Sequence, residues 1–262
     1  MLSLRVAHAY DRNRYHPPEV SGKIATAIVD PVERAFKEPS FLEVGSGTGR
    51  IGMPIVARGH SFTGVDVDPE MMQLFRAKFA GVSRRTKLVE ADVQDLPFEN
   101  SSFHAVIAVH IWHLIPELER AVLEATRVIK PGGFLFEGWD APTIISAEHE
   151  IQDAWCEALK NHGHIVQRGA HTIALEQSRE LLASRGFSSN VAVIANWEVA
   201  HTPLEVVEAL AEGLFSFART VPLELRYAAA REIKPWLVER FKDPETPIKT
   251  PWSFHLRTTH LA

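Results

Sequence analysis

Cysteine is nearly missing from this 262-residue chain, which carries only Cys156. A lone cysteine closes no intrachain disulfide, so a disulfide scaffold is excluded and a reducing compartment fits. A basic excess is missing too. Lys and Arg number 28 against 33 Asp and Glu, a formal charge of −5, and no long Lys/Arg run occurs. Duplex binding draws much of its affinity from basic contacts to phosphate, so nucleic acid is not an expected partner. No window approaches the roughly 20 apolar residues of a membrane span. Met1 to His8 holds no apolar stretch of signal-peptide length. Repeats and low-complexity tracts are absent as well. The expectation is a cytoplasmic protein without a membrane partner. What is present is 45% hydrophobic and 23% charged. That is the balance of a globular chain, and one this long can bury about 70% of its unfolded surface.

Between residues 41 and 140 short apolar runs alternate with amphipathic stretches. Phe41–Val44, Phe62–Asp66, Lys87–Glu90, His104–Val109 and Phe134–Glu137 read as five strands. Helical patterns lie between them at 51–58, after Asp68 and Pro69 (Met72, Phe75, Phe79), and at Leu118, Val122, Ala125 and Ile129. Asp68 has the character of an N-cap. Pro131-Gly132-Gly133 is expected to stop the helix before the fifth strand. Strands and helices alternating in this way predict an α/β doubly wound sheet covered on both faces. A helix is expected over 18–36, another around Ile151, Trp155 and Leu159, and a core helix holding Leu181 and Leu182. Val191–Val199 reads as a sixth strand, two helical patterns fill 204–241, and Ser253–Leu261 reads as a last strand. The chain is read as a single domain over 1–262. A core at 37–140 carries additions at 1–36, 141–174 and 200–250.

The most informative segment is Glu43-Val44-Gly45-Ser46-Gly47-Thr48-Gly49. A strand turning sharply into a helix needs glycine for positive φ and for close approach of a ligand to bare backbone. Backbone N–H groups there favour an anion, and a nucleotide pyrophosphate or an amino-acid carboxylate both qualify. Gly47-Thr48-Gly49-Arg50-Ile51-Gly52 even matches the dinucleotide pattern, which keeps a nicotinamide-dependent oxidoreductase in view. Asp66 ends the second strand and can accept both hydroxyls of a ribose. Asp92 follows the third strand, where a carboxylate can accept from an adenine amine.

These segments resemble the class I S-adenosylmethionine-dependent methyltransferases. The likeness rests on Phe41–Gly49, Gly64–Met72, Ala91–Phe98 and Arg127–Gly133, in order, over roughly residues 40 to 140. It is greatest to the small-molecule branch, including quinone-biosynthesis-type enzymes. The resemblance implies a seven-stranded, mostly parallel sheet with the last strand antiparallel, and S-adenosyl-L-methionine as cofactor. It implies Glu43, Gly45, Ser46 and Gly47 around the methionine part, Asp66 on the ribose and Asp92 on the adenine amine. Val67 and Val93 would flank the adenine with Met71 close by, and His110 would lie near the transferred methyl. His104 departs from the family, which usually has Asp there.

Methyl transfer mainly needs alignment, and an oxygen or carbon acid must also lose a proton. His110 is the candidate catalytic base. Trp112, Trp139 and Asp140, at the same carboxyl edge of the sheet, are candidates for substrate binding. Tyr10 and Arg14 join them from a segment expected to fold over the cofactor. His113 reads as a packing residue. His110-x-x-His113 and His162-x-His164 lack the further ligands of a zinc site, so no metal is expected. The partner is a small molecule, and the assembly a monomer or homodimer. A non-catalytic module keeping the cofactor site is the other alternative.

Overall fold

The computed structural model describes residues 15–82 and 84–261. Tyr10 and Arg14 lie outside the described residues. The chain begins with α1 (Pro18–Ala35), whose Val20, Ile24, Ile28 and Val32 recur every fourth residue and are buried as one stripe. Proline at the first turn costs nothing there, because that N–H has no partner within a helix. Then follow β1 (Ser40–Val44), α2 (Gly52–Val56), β2 (Ser61–Asp66), α3 (Pro69–Phe79), β3 (Thr86–Glu90) and β4 (Phe103–Val109). Asp68 caps α3, its Oδ1 accepting from the backbone N–H of Glu70 at 3.0 Å and Met71 at 3.2 Å. After one 3-10 turn at Trp112–Leu114 come α4 (Leu118–Arg127), β5 (Ile129–Pro142), α5 (Ala147–Asn161), α6 (Ala170–Ser184) and β6 (Ser189–His201). The chain ends with α7 (Pro203–Ala211), α8 (Leu223–Glu232), α9 (Lys234–Phe241) and β7 (Ile248–Leu261).

The seven strands form one sheet in the order β3-β2-β1-β4-β5-β7-β6. The first four pairings are parallel. Along β5 and β7 the direction reverses: Phe134 stacks on His260 and Trp139 on His255, so rising numbers on one strand meet falling numbers on the other. The sheet is therefore mostly parallel with β7 antiparallel, as the resemblance implied.

Two compact units divide the chain. One takes its described residues up to Asp140, together with Ala170–Ala195 and the stretch from Phe254 onward. The other is Ala141–Gly169 with Asn196–Ser253. In the first, β1, β2 and β4 are buried on both faces, which is why they read as continuous apolar runs. In the second, Ile151, Trp155 and Leu159 of α5 pack with Val207, Leu210, Ala229, Ile233 and Leu237 in a separate core.

Several elements differ from their sequence-based reading. Pro131-Gly132-Gly133 does not precede β5 but lies inside it. The register against β4 shifts between Phe103 and Ala105, Gly132 has φ +75°, and a Cβ at Gly133 would stand 2.6 Å from the His104 carbonyl. The glycines thus serve a strand irregularity as well as the end of a helix. β7 begins at Ile248, with Pro251 inside it contributing its carbonyl to Thr143 N–H at 2.9 Å. The two helical patterns of 204–241 are three helices and a 3-10 turn, because Pro222 and Pro235 each open a new helix.

Strand alternation sends Glu137 of β5 to the face packed by α4 and α6, where it is fully buried. Trp112 Nε1 donates to its Oε1 at 2.7 Å, Ser178 Oγ donates to the same oxygen at 2.6 Å, and Arg257 Nη1 lies 3.3 Å from Oε2. Removing one member of a buried ion pair leaves the other charge uncompensated. Glu137→Ala is therefore expected to cost about 3–5 kcal/mol of stability, measured by urea unfolding. Replacing Glu137 and Arg257 together by methionine should cost less than Glu137→Ala alone.

Candidate functional site

β1 has β2 on one side and β4 on the other, so its carboxyl end lies where the strand order changes direction. Crevices at such switch points hold ligands in open α/β sheets. The chain leaves β1 through Gly45, Gly47 and Gly49, with φ of +66°, +52° and +80°. A Cβ at Gly45 would lie 2.5 Å from the Ile111 side chain, and one at Gly49 would lie 2.2 Å from Phe75. Among the described residues, a Cβ at Gly47 would meet nothing within 4 Å. The bend is stitched to β2: Ser46 N–H donates to the Val65 carbonyl at 2.9 Å, and Gly47 N–H to Asp66 Oδ2 at 2.7 Å. Asp68 N–H donates to the other Asp66 oxygen at 2.9 Å. Burial pushes the Asp66 carboxyl up, against these two backbone donors. Burial also raises the Glu43 carboxyl well above its ordinary range, while the Arg50 guanidinium pulls it back. Among the described residues, the buried Glu43 Oε2 and Ser46 Oγ find no hydrogen-bond partner.

A second group of polar side chains surrounds Asp140 at the end of β5. Its side chain is 4% exposed. Arg50 Nη1 lies 2.9 Å from Oδ2 and 2.6 Å from His16 Nε2, and that His16 nitrogen lies 2.9 Å from Oδ1. His110 Nε2 lies 3.1 Å from Oδ2 and accepts from the Asp140 N–H at 2.9 Å in the alternative tautomer. Burial opposes the charge on Asp140, but Arg50 and the two histidines overcome it and hold the carboxyl well below its usual range. His110 has φ +54°, an uncommon backbone for a residue with a Cβ and one that clusters at functional sites. His171 of α6 stands beside it, ring centroids 5.1 Å apart, with its Nδ1 3.2 Å from His113 Nδ1.

A family model for a methyltransferase domain matches residues 42–136. The sterol 4-C-methyltransferase of Caenorhabditis elegans is 39% identical over 94 residues, 35% of this chain and 28% of that one. The ubiquinone/menaquinone biosynthesis C-methyltransferase of Rhizobium etli is 30% identical over 180 residues, 63% of this chain and 68% of that one. The chain belongs to the class I S-adenosylmethionine-dependent methyltransferases. It spans about half the length or less of several curated relatives, 49% of an uncharacterised methyltransferase of Mycobacterium bovis among them. The YcgJ protein of Bacillus subtilis shares the fold, with a TM-score of 0.55 and 16% identity over 89% of this chain and 97% of that one.

Membership in this methyltransferase family sets aside the nicotinamide reading of Gly47–Gly52. Gly52 instead lies inside α2, where a Cβ would stand 2.6 Å from Phe62 and 2.8 Å from Glu43 Oε2. The structure brings Glu43, Gly45, Ser46, Gly47 and Asp66 together in one bend. Val67 beyond it is 62% exposed, Met71 is buried and capped by Asp68, and Asp92 is exposed with its oxygens on the backbone and side chain of Gln94. The Val93 side chain packs into the core with Leu96 and Trp112. Trp112 itself is buried with its indole N–H on Glu137, so it belongs with the packing and not with a pocket wall. Trp139 is half-buried, stacked on His255 and beneath the Arg257 guanidinium. His104, the departure from the family pattern, accepts from Ser40 N–H at 3.0 Å through Nδ1, a task a carboxylate can also do. Burial and the nearby Lys130 lower its pKa. Arg50, His16 and His171 were not singled out by the sequence. Arg50 stands next to the glycine segment and His16 two residues after Arg14, and their sequence positions carried no further signal. Among the described residues no group of three or more His, Cys, Asp or Glu is placed to hold a metal ion.

Asp140 and Glu43 act on stability with opposite signs. The Asp140 carboxyl is lowered on folding, so its contribution is present above about pH 4, its unfolded range, and is lost as pH falls. Asp140→Asn should therefore be destabilised near neutrality, with the gap to wild type narrowing as pH drops. Glu43 is raised on folding, so its penalty grows as pH climbs from its unfolded value towards its folded one. Glu43→Gln should gain stability near neutrality and little in acid, both followed by urea unfolding across pH.

Proposed function

We propose that this chain is an S-adenosyl-L-methionine-dependent methyltransferase that moves a methyl group to a carbon or oxygen acid of a small molecule. The observation that carries the reading is the glycine bend tied to Asp66 at one strand tip, with the His110–Asp140 pair at the tips of β4 and β5. The residues present fit the cofactor. Among the described residues nothing crowds the Gly47 backbone and the buried Ser46 hydroxyl has no hydrogen-bond partner, while Val67 offers an exposed apolar side chain. In this reading Gly45, Ser46 and Gly47 hold the methionine part, Glu43 supports the bend from beneath, Asp66 takes the ribose hydroxyls and Asp92 the adenine amine. Backbone beside Val93, not its side chain, meets the ring, with Val67 and Met71 completing the surround.

When bound, the cofactor supplies an activated methyl on a sulfonium. The chain's own task is to align the acceptor and to take its proton. The buried negative charge of Asp140 favours the tautomer of His110 with its proton on Nε2, which makes Nδ1 the basic nitrogen. Arg50 and His16 keep Asp140 ionised, so they act on His110 through it. Trp139 is the aromatic wall, and Tyr10 and Arg14 remain proposed contacts to substrate or cofactor. The relatives' names, two of them C-methyltransferases, support an acceptor that must lose a proton.

Calorimetry and transfer of labelled methyl to a panel of phenols, enols and carboxylic acids test this reading. Asp66→Ala should weaken cofactor binding about 10- to 100-fold, the worth of about one hydrogen bond to a charged group. His110→Ala should lower turnover about 10²- to 10⁴-fold with cofactor affinity nearly unchanged. No heat with the cofactor or its demethylated product would overturn the assignment. Undiminished turnover in His110→Ala would remove the base.

A further inference from the structure

The two edges of the sheet are built differently. β3, at one end, is five residues long and carries Lys87 and Glu90. Short length and charge are the usual means of keeping an open edge from pairing. β6, at the other end, is 13 residues long. Its first part, Ser189-Asn190-Val191-Ala192-Val193-Ile194-Ala195, has no charge, no proline and no glycine. Val191 is 49% exposed and Val193 54% exposed, and Asn190 and Ala192 are exposed as well. Ser189 Oγ bonds Thr259 of β7, which fixes the inner side of the strand. Among the described residues, no backbone hydrogen bond other than those within the sheet engages 189–195. The outer row of N–H and C=O groups is therefore left for solvent or for another strand.

We propose that this edge is a self-association surface, with Ser189–Ala195 pairing antiparallel to the same strand of a second copy about a two-fold axis near Ala192. A two-fold interface brings the same patch of both copies together, so any charge near its centre faces its own sign. This stretch has none, and is compatible with its own copy in a way that β3, with Lys87 and Glu90, is less suited to be. With the axis at Ala192, Val191 of one copy faces Val193 of the other. β-branched residues opposite each other form favourable cross-strand pairs. The inference stands apart from the methyltransferase reading, since neither depends on the other.

Sedimentation of the full chain over a dilution series tests it, with amide hydrogen exchange read at 190–194. The expected result is a concentration-dependent rise from 29.3 kDa towards twice that mass, with the 190–194 amides protected only in the concentrated sample. The variant Val191→Lys/Val193→Lys places lysines opposite one another and should weaken association at least about tenfold. Both side chains are exposed, so its thermal unfolding should stay near that of wild type. Mixing it with Val191→Glu/Val193→Glu should restore association, which a misfolded variant could not do. A monomer at every concentration overturns the proposal. So does a dimer that the lysines leave intact, or one in which exchange at 190–194 is the same at all concentrations.

Discussion

A carboxylate taken out of water must be paired, and Asp140 shows how far the fold goes to do it. Its side-chain partners come from three distant places in the chain: His16 before α1, Arg50 in the glycine bend and His110 after β4. An unpaired charge at that depth would be neutralised or would destabilise the fold. The Arg50 guanidinium meets the desolvation cost, and it also faces Glu43 across the same bend. One arginine thus links the two buried acids of the site. The proposed base, His110, is held by the partner that Arg50 keeps ionised.

The four residues Glu137-Gly138-Trp139-Asp140 divide the labour of one strand by its period of two. Glu137 points to the helical face and accepts from Trp112 and Ser178. Gly138 has no room for a side chain, because a Cβ there would lie 2.6 Å from Phe254 and 2.9 Å from Val109. Asp140, three residues on from Glu137, falls on the other face and meets His16 and Arg50. The first acid fixes the loop that carries Trp112, and that loop follows directly from His110. Packing and the proposed chemistry are joined through this short segment.

Much of the site was legible because it depends on local backbone needs. Positive φ at Gly45, Gly47 and Gly49 follows from a tight strand-to-helix turn, and the Asp68 cap follows from its place before Pro69. The carboxylates at the strand ends were readable for the same reason. The strand irregularity at Pro131–Gly133 was not, since glycine and proline mark a helix end and a bulge alike. The indole of Trp112 was placed near the pocket by its nearness in sequence to His110, whereas its burial depends on Glu137, 25 residues away. His104 shows the reverse: a residue foreign to the pattern does the local work by accepting from Ser40.

By itself the sequence determined the order of strands and helices and the acids and glycines of the bend, because these are set by periodicity and by backbone conformation over a few residues; the family came from the resemblance of four short segments in order. Only the tertiary structure decided that Asp140 is a buried ion held by Arg50 and His16, that Glu137 is a core anchor, and that the long, uncharged start of β6 stands at the end of the sheet. Each of those outcomes depends on side chains or strands brought together from distant parts of the chain, where desolvation and pairing replace local propensity as the controlling energy.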